Sequence, residues 1–432
     1  MPTTAPTTLP RRTFLRRLGA TAPLVVAPTV LAARSRPCPS DRITLAMVGL
    51  GSMGLRHVKG FLQEPDCHIV AVCDVDASRR ELAAKVVNDH YGATACRKVH
   101  DFADLLADAD LDALCIAVPD HWHAVIGVHA ARAGKDVYGE KPLARTIAEG
   151  RALVRAVRRA GIVWQMGSWQ RSTAHFRRAC ELVRNGRIGS LRRVEVGIGV
   201  GPTIGPQPPM PVPKGFDYDR WLGPAPFAPY TEKRCHWNFR WILDYSGGQV
   251  TDWGAHHIDI AHWGMGADAT GPVEVEGQGT FPDGLWDAAT TYRFTCRYAS
   301  GVEMLVASNN FIPQGVGFIG TRGWVHVTRG GLAANPAELL REKIGSNEIH
   351  LASPDEGHRQ GHRRNFLNCV RTRRQPHTPV EVGHHSIIPA HLGNIAMILR
   401  RPIRWNPRHE RIVGDPEAAR MLSRPMREPW HL

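Results

Sequence analysis

The sequence predicts an α/β protein in which a doubly wound parallel sheet is followed by an α+β domain with a large open, mainly antiparallel sheet. Two observations predict this division. Short apolar runs alternate with helix-like segments through residues 43–168, as they do in parallel sheets. From residue 191, runs such as ATTYRFTCRY (289–298) instead show β-branched alternation, and tight turns join some of them. A chain of 432 residues has room for about two to three domains.

The first residues have the pattern of an export signal. RRTFLRRL (11–18) precedes a weakly apolar stretch, and together they resemble a twin-arginine signal. The apolar stretch contains Pro23 and Pro28 and is too short to span a membrane as a stable helix. We expect cleavage near Ala33, which removes residues 1–33 and leaves a periplasmic protein without a membrane anchor. The alternative is a disordered basic N-terminus.

Composition argues against several kinds of partner. The net charge of +14 comes from 54 Lys and Arg against 40 Asp and Glu, but the arginines are scattered in pairs such as Arg177/Arg178. Because a groove that follows phosphates needs clustered charge, we expect no nucleic-acid partner. The nine cysteines include no CxxC pair, which predicts buried free thiols instead of a zinc ribbon or a disulfide framework.

A nucleotide-binding motif follows the first predicted strand. The apolar run ITLAMV (43–48) enters GLGSMG, which has GxGxxG spacing and precedes a helix-like segment. Gly49 permits the tight turn, Gly51 lets the backbone approach a pyrophosphate, and Gly54 allows close packing of helix on strand. The spacing predicts a Rossmann dinucleotide-binding domain over residues 40–165. The cofactor contacts expected in this loop are Gly49, Leu50, Gly51, Ser52, Met53 and Gly54.

Further cofactor contacts are expected at the carboxyl ends of other strands. HIVAVCD ends in Asp74, twenty residues after Gly54, where a carboxylate accepts both ribose hydroxyls and repels a 2′-phosphate. The predicted cofactor is therefore NAD, while Arg79 and Arg80 nearby leave NADP open. Ligands of parallel sheets lie at the carboxyl edge. This rule adds four residues to the expected cofactor site: Pro119, His123, Glu140 and Lys141.

Five motifs together carry a family resemblance: GLGSMG (49–54), Asp74, the P-x-x-x-H of 119–123, the EKP of 140–142 and GGQVTDWGAHHID (247–259). In this order they resemble the glucose–fructose oxidoreductase / inositol dehydrogenase family (Gfo/Idh/MocA), from about residue 43 to the mid-300s. The resemblance implies an NAD(P)-dependent oxidoreductase that forms a homo-oligomer, either a dimer or a tetramer. It also implies that Lys141, Asp252 and His256 face the nicotinamide and the substrate.

These three residues suit the oxidation of a secondary alcohol, in which a hydride leaves carbon and a proton leaves oxygen. Histidine is suited to acid–base work near neutrality, which favours His256 as the acid/base. Lys141 can hydrogen-bond the same oxygen and stabilise alkoxide character. If the chain is helical from Thr251, Asp252 and His256 share one face at i and i+4. Asp252 would then orient the histidine or bind a neighbouring hydroxyl.

The expected substrate is a sugar, glycoside or polyol, bound by a second domain over residues 166–400, with residues 401–432 packing on the body as a tail. Side chains that follow the sixth strand open toward the cleft, and an aromatic-rich segment leads to the Asp-x-x-x-His sequence. Flat aromatic faces with interleaved donors suit sugars, and packed cores use the same residue types. The substrate-binding candidates are Trp169, Arg171, Arg240, Tyr245 and His257.

Two alternatives stay open. One is a redox-neutral, NAD-dependent glycosidase that works through a transient 3-keto intermediate. The other is a metal site built on His256, His257 and His262, with Asp252 or Asp259 as oxygen ligands. A hydride transfer needs no metal, so we expect none. Because the periplasm maintains no NAD(H) pool, export further predicts a cofactor that is held tightly and recycled within one active site.

Overall fold

The first sheet is parallel, as the alternating pattern predicts. The computed structural model describes residues 41–352 and 358–432, so the predicted export signal lies outside the described residues. The six strands of this sheet are β1 (Ile43–Val48), β2 (Cys67–Cys73), β3 (Arg97–Val99), β4 (Ala113–Ile116), β5 (Asp136–Gly139) and β6 (Trp164–Met166). Their order is β3-β2-β1-β4-β5-β6. The strand order reverses between β1 and β4, which is where ligands bind in such sheets.

Helices cover both faces of this sheet: α1 (Ser52–Phe61), α2 (Ala77–Tyr91), α3 (Phe102–Leu106), α4 (Asp120–Arg132) and α5 (Ile147–Ala160). Side chains of β1 alternate between two buried clusters: Ala46 and Val48 belong to one, and Leu45 and Met47 to the other. Strands buried on both faces read as continuous apolar runs, and this explains why ITLAMV is almost wholly apolar.

The second sheet has nine strands: β7 (Leu191–Ile198), β8 (Glu274–Thr280), β9 (Thr291–Arg297), β10 (Glu303–Ser308), β11 (Gly315–Gly320), β12 (Trp324–Thr328), β13 (Gly331–Asn335), β14 (Ile403–Asn406) and β15 (Arg411–Ile412). Their order is β13-β12-β11-β7-β10-β9-β8-β14-β15, and all neighbours are antiparallel except β7 and β10. In β9, Tyr292, Phe294 and Cys296 are buried while Arg293 between them is exposed. This alternation is typical of a sheet covered on one face.

The remaining helices are α6 (Ala174–Arg184), α7 (Tyr218–Leu222), α8 (Gln249–Asp252), α9 (Gly254–Met265), α10 (His358–Thr372), α11 (Val380–Leu399) and α12 (Pro416–Arg420). Short 3-10 turns lie at Trp169–Ser172, Glu232–Arg234, His236–Trp241 and Ala337–Leu340. The covered face of the second sheet packs on α6, α9 and α11, whose apolar side chains share one buried cluster with it. The predicted fold class, a Rossmann domain followed by an α+β domain with a mainly antiparallel sheet, is confirmed.

Later segments of the chain return to the first sheet. Phe366 of α10 packs edge-on against Tyr138 of β5, with ring centroids 5.9 Å apart. Trp430 packs against Trp122 of α4 at 4.6 Å, and Arg424 donates to the Glu149 carboxylate at 2.5 Å. Among the helices of residues 41–352 and 358–432, none combines the length and the apolar character that a membrane span requires.

Candidate functional site

The loop after β1 has a shape that only glycine permits. Gly49 has φ +85°, and a Cβ at this position would lie 2.5 Å from the Ala117 carbonyl oxygen. A Cβ on Gly54 would lie 1.9 Å from the Gly49 carbonyl oxygen. Helix α1 begins at Ser52, so its first backbone amides are available to an anionic group held in this loop.

A cavity of about 320 Å³ lies along the carboxyl ends of β1, β2, β4 and β5. Asp74 and Arg79 line one part of it, and Lys141 and Arg240 line another. The structure also places Gly49, Leu50, Gly51, Ser52, Met53, Pro119 and Glu140 in this lining. Its volume is within the range of small-molecule sites, about 300–1,000 Å³.

Asp74 is fixed by two backbone amides. Its carboxylate accepts from Leu50 N at 2.7 Å and from Asp76 N at 2.9 Å, and burial raises the pKa of this carboxyl. Arg80 donates to the Asp74 carbonyl oxygen, which directs its guanidinium away from the ribose position. Arg79 remains in the cavity lining. The site therefore holds an acid suited to ribose hydroxyls and one arginine beside it.

A segment of the second half closes the cavity beside Asp74. We call residues 214–222 the strap. Gly215 O accepts from Ala77 N at 2.9 Å, and Asp217 N donates to Val75 O at 3.0 Å. A hydrogen-bonding contact between His100 Nε2 and Asp217 Oδ2 at 2.8 Å and an ion pair between Arg220 and Asp101 at 2.7 Å add to these bonds. These contacts hold the strap over the part of the cavity where Asp74 would bind the ribose.

Lys141, in the other part of the cavity lining, pairs with Asp252. Lys141 Nζ lies 2.5 Å from Asp252 Oδ1 and 3.1 Å from the Asp252 carbonyl oxygen, and Arg240 Nε lies 3.3 Å from the same Oδ1. Burial alone would raise the pKa of Asp252, but the two cations outweigh it and hold this pKa below its usual value. Asp252 is therefore an anion that fixes the position of Lys141.

His256 is buried close to this pair. Neither ring nitrogen has a hydrogen-bond partner among the described residues, and Nδ1 is shielded from solvent. Burial, followed by the charge of Lys141, lowers the pKa of His256 well below its usual value of 6.5. The imidazole is therefore neutral at physiological pH, and it can accept a proton.

The expected helix across this segment is divided by a single residue. Helix α8 ends at Asp252 and α9 begins at Gly254, but Trp253 between them keeps helical backbone angles of φ −82° and ψ −30°. Asp252 binds Lys141 and Arg240, and no hydrogen bond joins it to His256 among the described residues. The structure corrects the expectation that Asp252 orients the histidine.

Glu140 and His123, both predicted cofactor contacts of the first domain, have different roles in the structure. Glu140 lies in the cavity lining and pairs with His57 of α1, with Nε2 and Oε1 2.8 Å apart. His123 lies outside the lining: its Nδ1 is 2.6 Å from Pro142 O and its Nε2 is 2.9 Å from Val118 O. Each nitrogen thus faces a backbone carbonyl oxygen near Lys141, and the tautomer decides which of the two donates a hydrogen bond. This corrects the assignment of His123 as a cofactor contact.

Of the predicted substrate contacts, Arg240 lines the cavity and its guanidinium stacks on the exposed Trp237 at 4.2 Å from the ring centroid. Trp169 lies next to His256, with ring centroids 6.2 Å apart. These two residues are therefore close to the catalytic candidates. Their part in substrate binding stays a prediction.

The other three predicted substrate contacts are structural. Arg171 is buried in an ion-pair triad, and all three guanidinium nitrogens donate to Asp259 or Asp268. Tyr245 is fully buried, with its hydroxyl 3.2 Å from Arg234 Nη1. His257 is buried, with Nδ1 3.1 Å from Gly197 O. Because these polar groups are already used inside the protein, the three assignments are corrected.

The metal alternative finds no support in the described residues. Within 41–352 and 358–432, no group of three or more His, Cys, Asp or Glu side chains has an arrangement that could hold a metal ion. Asp259 binds Arg171, and His262 Nε2 lies 2.7 Å from the Tyr298 hydroxyl. Asp259 and His262, which a metal site here would need, are therefore turned toward other partners.

Sequence reasoning missed several residues of the site. Asp120, which lines the cavity, accepts a hydrogen bond from Ser246 Oγ at 2.5 Å, and burial raises its pKa. His57 and the strap were missed as well, because nothing in their local sequence marks them. The signal for Asp120 was available, since it directly follows Pro119 at the carboxyl end of β4.

Comparison with known proteins identifies the family. Residues 43–168 match the family described as "Oxidoreductase family, NAD-binding Rossmann fold", and residues 204–432 match "Oxidoreductase family, C-terminal alpha/beta domain", the C-terminal domain of the same Gfo/Idh/MocA group. The chain belongs to the Gfo/Idh/MocA oxidoreductase family. As a Gfo/Idh/MocA protein with this cavity it is an NAD-dependent oxidoreductase.

Individual relatives of this Gfo/Idh/MocA protein are distant. It is 28% identical over 231 residues to the uncharacterized oxidoreductase YrbE of Bacillus subtilis, covering 54% of this chain and 56% of that protein. It is 26% identical over 349 residues to the scyllo-inositol 2-dehydrogenase (NAD(+)) of the same organism, covering 78% and 88%. The fold is also that of the WlbA dehydrogenase from Bordetella pertussis, solved with NADH and UDP-GlcNAcA. That structure has a TM-score of 0.61 and 21% identity, and the match covers 84% of this chain and 99% of that one.

The residues present fit NAD. The loop of residues 49–54, which we call the glycine cradle, leaves no room for a Cβ at Gly49 or Gly54. Two backbone amides fix the Asp74 carboxylate, which suits the ribose hydroxyls. Residues Gly49–Met53 and the start of α1 would hold the pyrophosphate, and Lys141, elsewhere in the cavity lining, pairs with Asp252.

Proposed function

We propose that this protein transfers a hydride between tightly held NAD and a secondary alcohol of a sugar, glycoside or polyol. The observation that carries the proposal is the pairing of Lys141, which lines the cofactor cavity, with Asp252 at 2.5 Å, close to His256. NAD, when bound, supplies the acceptor for the hydride. The protein must then bind the alcohol oxygen and accept its proton.

His256 supports the second task. Its ring has no hydrogen-bond partner among the described residues, and its lowered pKa keeps it neutral, so it can take the hydroxyl proton. Lys141 Nζ has three hydrogens, and Asp252 uses at most two of them through Oδ1 and its carbonyl oxygen. The third can be donated to the substrate oxygen as it gains alkoxide character.

Tight retention of NAD is supported by the strap. Its two backbone hydrogen bonds to Val75 and Ala77, its contact with His100 and its ion pair with Asp101 would have to open before the adenosine end of NAD could leave. Retention suits the periplasmic location that the arginine pair at 11–12 predicts, where a released cofactor would not be replaced. We propose that location together with the retention.

The test is direct. The protein is purified without added nucleotide, denatured, and the released nucleotide is identified by mass; near-stoichiometric NAD is expected. Native protein is then mixed with panels of sugars, polyols and glycosides, and the absorbance of reduced nicotinamide is followed. Lys141→Met should abolish the reduction with NAD content unchanged, whereas the exposed Lys343→Met serves as the matched control. Release of an aglycone without net reduction would instead support the glycosidase alternative.

A further inference from the structure

Two arginines flank the indole of Trp169 beside the candidate catalytic residues. The Cζ atom of Arg359 lies 4.4 Å from the Trp169 ring centroid, and that of Arg329 lies 4.9 Å from it. Arg329 also lies 4.1 Å from the ring centroid of Trp253, the residue that follows Asp252. Both tryptophans contact the His256 ring, with centroids 6.2 and 6.3 Å away.

Neither arginine has a counter-ion in the part of the chain that the structure describes. Arg329 Nε donates to the side-chain oxygen of Gln170 at 2.9 Å once the amide is oriented so that its nitrogen donates to the His256 carbonyl oxygen. Arg359 Nε is buried without a hydrogen-bond partner within residues 41–352 and 358–432. Arg171, only a few residues from Trp169, shows the contrast, since it is neutralised by two carboxylates.

The charged side chains that act on His256 are cations: Lys141, Arg329 and Arg359 each lower its pKa. The carboxylates that act on Arg329, those of Asp252 and Glu140, already have other partners. Glu140 is already paired with His57, and Asp252 is shared by Lys141 and Arg240. Burial, followed by the proximity of Arg359, lowers the pKa of Arg329 to about 10. Partly buried guanidinium groups without a counter-ion are unfavourable.

We propose that the substrate carries an anionic group, a carboxylate or a phosphate, which Arg329 and Arg359 bind while its hydroxyl lies at His256. The inference rests on the proposed function and specifies its substrate class as an acidic sugar or polyol. Guanidinium groups bind both kinds of oxyanion with paired hydrogen bonds, and stacking on indole fixes the plane from which those hydrogens are donated. An anion within reach of both guanidinium groups would supply the missing counter-charge.

Binding and turnover are measured separately on the NAD-loaded protein. Calorimetry compares hexuronates and hexose 6-phosphates with the corresponding neutral hexoses, and the acids are expected to bind more tightly. Arg329→Gln should weaken binding of the preferred acid about 10- to 100-fold, the loss of one charged hydrogen-bonded contact, and leave neutral hexoses unchanged. Arg329→Lys should restore part of this loss. The exposed Arg341→Gln is the matched control and should change neither.

The outcomes separate the two hypotheses. If the protein prefers acids and Arg329→Gln abolishes this preference, the anion site is supported whether or not the acid is oxidised. If none of the tested substrates reduces the bound NAD, only the proposed function is contradicted. Oxidation of neutral hexoses without any acid preference would overturn the anion site and leave the function intact. Comparing the binding of hexuronates with that of hexose 6-phosphates shows whether the site prefers a carboxylate or a phosphate. Asp355 and Glu356 lie outside the described residues, and the double variant Asp355→Asn/Glu356→Gln tests them as counter-ions of the two arginines. If the protein prefers acids only in this variant, carboxylates of the chain itself neutralise the arginines, and the proposal is overturned.

Discussion

Lys141 Nζ and Asp252 Oδ1 lie 2.5 Å apart although 111 residues separate them in the sequence. Lys141 follows β5 of the parallel sheet, and Asp252 ends the short helix α8 that precedes α9. The pair therefore joins the cofactor half of the chain to the half that carries His256. Any change in how these halves pack alters the position of the ammonium group at the reacting oxygen.

Asp252→Asn should lower turnover about 100-fold, because it removes the charge that holds Lys141 in place while leaving a side chain of the same size. NAD content should stay unchanged, since Asp252 is not part of the glycine cradle. Single-turnover reduction of bound NAD and nucleotide analysis measure the two quantities. The exposed Asp89→Asn is the control. Equal loss of NAD and turnover would contradict the assignment of Asp252 to the reacting end.

The pH dependence follows from the lowered pKa of His256. A base whose pKa is lowered stays unprotonated until the pH falls below that lowered value, so its acid limb moves to lower pH. We expect kcat for alcohol oxidation to show no loss as pH falls to 6.5, the usual histidine value. A pH–rate profile tests this, with His256→Ala as the reference. A midpoint at or above 6.5 would assign the titration to another group.

Asp74→Ala should weaken NAD binding about 10- to 100-fold, because two ribose hydroxyls lose their acceptor. The same change should improve the binding of NADP relative to NAD, since Arg79 lines the cavity beside Asp74 and the repulsion of a 2′-phosphate is removed. Fluorescence titration of nucleotide-free protein gives both dissociation constants. Arg79→Gln in the Asp74→Ala background should reverse the gain for NADP; an unchanged ratio would show that the ribose is held elsewhere.

Arg171→Met should destabilise the protein by about 3–5 kcal/mol, because it leaves the buried Asp259 without its cation. Urea unfolding measures the change, and Arg171→Met combined with Asp259→Leu should recover part of it. Since Arg171 is structural, the KM of the fraction that remains folded should be unchanged. A raised KM at unchanged stability would return Arg171 to the substrate site.

The parallel sheet and the cofactor loop could be predicted because their signals are local. The steric role of Gly49 and Gly54 and the acid at the end of β2 are read from spacing alone. Arg171 could not be assigned, since its partners Asp259 and Asp268 lie 88 and 97 residues away and only tertiary packing brings them together.

The prediction that Asp252 orients His256 was wrong for a different reason. Both residues were expected on one face of a helix with Asp252 as a partner of His256, but Asp252 binds a lysine that follows β5 instead. Helical spacing predicts which residues share a face, but it cannot show which distant cation takes the carboxylate there. Arg329 was missed because its local sequence does not show that it lacks a counter-ion among the described residues.

The contact of Trp430 with Trp122 ties the nucleotide-binding half to a distant part of the chain. Met426, Trp430 and Leu432 pack against the apolar cluster that α4 and the parallel sheet share, and Arg424 reaches the His121 carbonyl oxygen across 303 residues of sequence. Because Trp122 also lines the cofactor cavity, this packing supports one side of the cavity. Residues 43–168 alone would lack that support, so we expect them to be less stable as an isolated segment than within the whole chain.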